Sequence, residues 1–107
     1  MARVIWTEPA LKDVEAITAF IAKDSPVYAK RFGHRLREAP KRLKLFPLLG
    51  WTVPEFEREN LREMLVGSYR IIYEVRGSDC YVVAVVHGSR NLPRLIQPPK
   101  EENDKGS

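Results

Sequence analysis

Cysteine is nearly missing from this 107-residue chain: Cys80 is the only one, and it lies in a hydrophobic run. A single thiol excludes an internal disulfide and a cysteine-rich metal site, and its apolar neighbours point to burial. Histidine is almost as scarce: His34 and His87 do not stand at metal-ligand spacing. No apolar run approaches the roughly 18 residues of a membrane span, and the apolar triplet after Arg3 is too short for a signal peptide. Phosphate-binding and dinucleotide-binding glycine motifs are absent, as are repeats and low-complexity segments. These absences lead us to expect a cytoplasmic protein with no cofactor, no metal and no membrane partner.

What remains is the composition of an ordinary folded domain, 44% hydrophobic and 30% charged. One core is expected, spanning residues 1–97, followed by a flexible polar tail over 98–107. The net charge of +4 is modest but unevenly spread. Lys30, Arg31, Arg35, Arg37, Lys41, Arg42 and Lys44 face only Glu38 within residues 30–44. Such a field attracts a phosphate backbone or an acidic protein segment, and equally describes a helix with a solvated basic face.

Arg3 to Trp6 reads as a short opening strand. Thr7 is a candidate helix cap, with Glu8 and Pro9 suited to the first turn. Leu11, Val14, Ile17, Phe20 and Ile21 recur at helical spacing up to Ala22. Asp24 or Ser25 caps a second helix, whose stripe of Tyr28, Phe32, Leu36, Ala39, Leu43 and Phe46 stays in phase across Pro40. That proline should kink or split the helix near 36–39. Residues 51–60 read as a loop carrying Glu55, Glu57 and Glu59. Three strands follow, joined by Gly67-Ser68 and Gly77-Ser78-Asp79. In the middle strand Ile71, Tyr73 and Val75 face one side, and Arg70, Ile72 and Glu74 the other. The run Val82 to Val86 is apolar on both sides, which suits a central strand. Residues 91–96 suggest a short helix or strap. The expected fold class is α+β, in the order β-α-α-β-β-β. A helical hairpin packs on one face of a small mixed, mostly antiparallel sheet, and the first strand can lie parallel beside the last.

Arg70, His87 and Arg90 form the one candidate reactive constellation. Arginines can clamp a phosphate and histidine can carry a proton near neutral pH, as a metal-independent ribonuclease requires. The structural alternative is that His87 closes its strand while Arg70 pairs with Glu63 or Glu74. Arg62, beside Glu63, is open to both readings.

The chain also resembles the RelE/ParE superfamily of type II toxin–antitoxin toxins, and does so over residues 3–96. The resemblance rests on Trp6-Thr7, Asp24-Ser25-Pro26, Phe46-Pro47 with Gly50, Val53-Pro54-Glu55, Leu61-Arg62-Glu63, Tyr69-Arg70-Ile71-Ile72-Tyr73 and Val86-His87-Gly88-Ser89-Arg90. It implies a growth-inhibiting toxin, of the kind found in plasmid-stabilisation modules, neutralised by a cognate antitoxin in a hetero-oligomer. Arg70 and Arg90 match arginines of the ribonuclease members, and His87 is common at its position in the ParE-like branch. No tyrosine follows Tyr81, and the 51–60 loop is acidic where ribonucleases carry lysines. The Leu-Arg-Glu and His-Gly-Ser-Arg-Asn-Leu segments resemble the ParE-like branch more closely. The expectation is therefore a toxin inhibiting DNA gyrase. Its alternatives are a ribosome-dependent ribonuclease cleaving mRNA, with Arg70, Arg90 and His87 catalytic, and an inactive binding partner. For the gyrase reading the target- or antitoxin-binding residues expected are Arg35, Arg42, Arg62, Arg70, His87 and Arg90.

Overall fold

A computed structural model describes residues 1–89 of the chain. Arg90, the strap expected over 91–96 and the tail expected over 98–107 lie outside the described residues. The element order is β1 (Val4–Trp6), α1 (Glu8–Ala22), α2 (Pro26–Glu38), a 3₁₀ helix (Ala39–Lys44), β2 (Trp51–Thr52), β3 (Leu61–Val66), β4 (Tyr69–Arg76) and β5 (Asp79–His87). The five strands form one sheet in the order β1-β5-β4-β3-β2. β1 runs parallel to β5, and every other pair is antiparallel. The mixed sheet and the helical layer on one face agree with the sequence reading, whereas β5 is flanked on both sides only as far as Val82, so the run Val82–Val86 is not central along its length.

Local chemistry sets the element boundaries. The Thr7 hydroxyl accepts from the Ala10 N–H at 3.4 Å and donates to the Val82 carbonyl at 2.7 Å, so one side chain starts α1 and ties it to β5. The Ser25 hydroxyl accepts from the Tyr28 N–H at 3.2 Å and starts α2. Each hairpin turn opens on a glycine with positive φ, 58° at Gly67 and 59° at Gly77, a geometry that L side chains resist.

The expected break near Pro40 is observed as a split, while the burial of the apolar stripes and the reading of 51–60 as loop need correction. α2 ends at Glu38, and the 3₁₀ helix carrying Pro40 takes over, because proline cannot donate into an α-helical ladder. Leu36 and Leu43 remain buried on either side of the break, while Tyr28 and Phe46 are exposed. In α1, Leu11 and Phe20 also lie outside the core, at the margins of the apolar face. The 51–60 stretch is not loop throughout, since Trp51 and Thr52 pair with Glu63 and Arg62 as the edge strand β2.

Two clusters sandwich the sheet. On the helical side Ala10, Val14, Phe32, Leu36 and Leu43 pack on Met64, Val66, Ile71, Tyr73, Cys80, Val82 and Val85. Burial raises the Cys80 thiol pKa, which keeps it protonated and inert. On the opposite face Val53, Leu61, Ile72 and Ala84 form a smaller cluster, with Phe56 folded over it.

β1 stops at Trp6, opposite Val82, and beyond it no strand of the described residues lies along the outer edge of β5. There the Val85 N–H donates to the Asp13 carboxylate at 2.9 Å. Partial burial raises the Asp13 pKa, and the Val85 bond opposes that shift. A carboxyl whose folded pKa is raised binds more protons folded than unfolded. Stability therefore falls as pH rises from the unfolded value, about 3.9, through the folded one. Asp13→Asn keeps an oxygen acceptor and removes the charge. We expect it to gain on the order of 0.5 kcal/mol at pH 7 after solvent screening of this half-buried group. Urea melts at pH 3 and pH 7 check this: the gain should shrink at pH 3.

Candidate functional site

The sheet face away from the helices carries Glu63 and Leu65 from β3, Arg70, Ile72 and Glu74 from β4, and the Val53–Glu59 loop above them. Val53 is buried and its N–H donates to the Leu61 carbonyl at 3.2 Å, which pins that loop to the sheet. Glu55 is thereby held over Arg70. The two terminal nitrogens of Arg70 donate to the two Glu55 oxygens at 2.9 and 2.8 Å, and Nε donates to Glu63. The Arg70 side chain is only 7% exposed. Its carboxylate partners raise the guanidinium pKa still further, and Arg70 holds the Glu55 carboxyl below the usual range. All three guanidinium nitrogens thus donate to carboxylates.

A second ion cluster sits beside it on the same face. The buried Glu74 carboxylate accepts from Arg58 at 3.3 Å, from the Asn60 amide at 3.4 Å and from Arg76 Nε. Arg76 also lies over the Tyr81 ring, 4.4 Å from its centroid. Among the described residues Arg58, Arg70 and Arg76 on this face are therefore matched by Glu55, Glu63 and Glu74.

His87 points the other way. It stands opposite Tyr69 across the β4–β5 ladder, with its ring edge-on to Tyr69 at 5.3 Å, and Tyr69 in turn meets Phe32 of α2 at 5.6 Å. Arg70 follows Tyr69 in the strand and so projects from the opposite face. Nδ1 of His87 accepts from the Ser89 N–H at 3.2 Å and lies 2.8 Å from the Ser89 hydroxyl, closing a turn held by the Gly88 N–H on the Ser68 carbonyl. The structure does not bring Arg70 and His87 together, and Arg90 is outside the described residues.

Arg62 is half-buried and works as a clasp. Its Nε donates to the Glu59 carbonyl at 2.9 Å, and one terminal nitrogen reaches the Leu48 and Gly50 carbonyls at 3.3 and 2.9 Å. Arg35 and Arg42 are brought together. Both are exposed and, with Glu38, Ala39, Leu65 and Val66, line a shallow groove between the helical layer and the outer edge of β3. Arg35 also stacks over Phe32 at 5.3 Å. β2 covers β3 only at Arg62 and Glu63, so no strand of the described residues pairs along this outer edge at Met64 to Val66.

Sequence reasoning missed Glu55 as the partner that closes on Arg70. The only signal was its place in an acidic loop after Pro54. It also missed the exposed apolar turn Leu45–Trp51.

Known proteins resemble this chain in both sequence and fold. The family described as "ParE toxin of type II toxin-antitoxin system, parDE" matches residues 4–92. "Toxin RelE2" of Caulobacter vibrioides is 35% identical over 91 residues, covering 84% of this chain and 99% of that protein. "Toxin ParE3" of the same organism is 28% identical over 93 residues, covering 86% and 92%. Among solved structures, the chromosomal ParDE toxin–antitoxin system from P. aeruginosa superposes with a TM-score of 0.68 at 20% identity, over 81% of this chain and 96% of that one. The toxin–antitoxin complex RelBE2 from Mycobacterium tuberculosis gives 0.51 at 17% identity, over 80% and 96%. No helix among the described residues is long and apolar enough to cross a membrane.

Proposed function

This chain belongs to the ParE toxins of the RelE/ParE superfamily, and from that premise we propose that it poisons DNA gyrase by binding and does not cut RNA. One observation carries the proposal: Arg70, the residue a ribonuclease would turn toward the scissile phosphate, is enclosed by Glu55 and Glu63. A phosphate could reach it only by displacing a bidentate carboxylate. His87 adds support, since it projects from the other face and shares no reaction centre with Arg70.

The partner that neutralises the toxin is a cognate antitoxin in a hetero-oligomer. The groove at Arg35 and Arg42 suits an acidic segment of that antitoxin, because these two cations stand at the groove's rim beside exposed Leu65. In this reading Arg35 and Arg42 touch the antitoxin, whereas Arg62, Arg70 and His87 act through the carbonyls, carboxylates and turn that they hold in place.

The test compares purified toxin on two substrates, gyrase supercoiling and mRNA in a translating extract, each with and without antitoxin. Loss of supercoiling with intact mRNA is expected. Translation-dependent mRNA cleavage with gyrase untouched would overturn the proposal and require Glu55 to swing away from Arg70. Harmlessness in both would leave a binding partner that has kept the fold alone.

A further inference from the structure

We propose that the turn carrying Leu45, Phe46, Leu48, Leu49 and Trp51 is the surface by which the toxin grips the enzyme it poisons, and that its counterpart is an apolar recess with an acidic rim. The inference rests on the reading of this chain as a toxin that acts by binding a protein. These five side chains are between 44% and 75% exposed, within seven consecutive residues. A run of large apolar groups left in water on a small domain marks a surface that another molecule covers.

The backbone beneath them is fastened from inside. The buried Tyr73 hydroxyl donates to the Pro47 carbonyl and accepts from the Gly50 N–H, each at 2.9 Å. Arg62 holds the Leu48 and Gly50 carbonyls. The Leu45 and Phe46 N–H groups bond back to Arg42, and the Leu49 N–H bonds to Phe46. Trp51 is fixed by pairing with Glu63. An apolar knuckle held in shape before binding loses little entropy on docking, and an exposed tryptophan is the commonest kind of anchor.

Charge selects the occupant. Lys41, Arg42 and Lys44 stand exposed on the turn that leads into the knuckle, and among the described residues only Lys41 meets an acid there, the half-exposed Glu38. A second copy would bring the same cations against them, so an acid-rimmed partner is favoured over self-association. The antitoxin groove lies farther along the edge of β3, at Leu65 and Val66, whereas Trp51 pairs at Glu63. The two surfaces therefore adjoin, with Arg42 at their shared border.

The variant to make is Leu48→Ser with Trp51→Ser, since both side chains are mostly in water and neither lines the groove. We expect inhibition of purified gyrase to weaken by about 30-fold, as for loss of an interface anchor. Antitoxin affinity should stay within about threefold, and the thermal midpoint within about 2 °C. Unchanged gyrase inhibition overturns the proposal. So does a loss of antitoxin affinity with inhibition intact, which would assign the knuckle to the antitoxin. A wild-type dimer that the variant dissolves, seen by light scattering, would make it a self-interface and also overturn it. Protection of Trp51 from acrylamide in the isolated Trp6→Phe monomer would mean that the chain covers its own knuckle, and would overturn it as well. Failure of the gyrase reading itself is told apart because it appears already in the wild type.

Discussion

Arg70→Ala should destabilise the fold by about 3–5 kcal/mol, before any effect on a partner is considered. Removing the guanidinium leaves Glu63, itself largely buried, with no cation on its carboxylate, and frees Glu55 from the sheet. The cost is that of a broken buried pair, not of a lost surface contact. From sequence alone the same substitution would be expected to weaken toxicity more than folding; the burial of Arg70 reverses that order. A triple change, Arg70→Met with Glu55→Gln and Glu63→Gln, removes both charge signs together and should recover most of the loss, since an apolar or neutral replacement of a whole buried cluster is often tolerated. Urea denaturation of the two variants against wild type measures both quantities. If Arg70→Ala melts within about 1 kcal/mol of wild type, the cluster is not holding the face together. Growth arrest by the triple variant would then show separately whether the guanidinium is needed for toxicity, free of the folding defect.

Gly50→Ala is the second large effect. A methyl group at this position would lie 2.5 Å from the Glu63 carbonyl oxygen and 2.9 Å from both Cε1 and the hydroxyl oxygen of Tyr73. Neither neighbour can yield cheaply. The Glu63 backbone belongs to the β2–β3 ladder, and Tyr73 is fully buried with its hydroxyl bonded on both sides. We expect a loss of about 3 kcal/mol, the upper end of overpacking costs, and a fall in thermal midpoint of more than about 10 °C. Gly77→Ala provides the contrast. Nothing lies within 4 Å of its added carbon, but φ is +59°, so conformational strain alone applies, about 1–2 kcal/mol. Calorimetry on both variants separates steric from torsional demand, and equal losses would contradict that separation.

Much of the fold was readable because separate local signals agreed. Thr7 and Ser25 cap the helices, glycines open the turns, and alternation in β4 separates Ile71 and Tyr73 from Arg70 and Ile72, as observed. β2 could not be read, since two residues with exposed side chains show no alternation. The knuckle was hidden by its composition: Phe46 continues the apolar stripe of the second helix in phase, although burial on that stripe ends at Leu43. The site was harder still. Glu63 was a named alternative partner of Arg70, being close in a hairpin, but Glu55 reaches it from 15 residues away through a loop with no regular period. The facing of Arg70 against His87 depends on cross-strand register, and that register shifts between Ile72 and Tyr73. Alternation within one strand cannot supply it.

The pairing of β1 with β5 has a consequence in time. Arg3 and Asp79, joined at 2.7 Å beside that ladder, are separated by 76 positions of sequence. During synthesis the opening strand therefore waits, unpaired, until nearly the whole described chain has been made. A sheet whose first and last described strands must meet gains that contact late, as in chains rich in non-local pairings, which fold slowly.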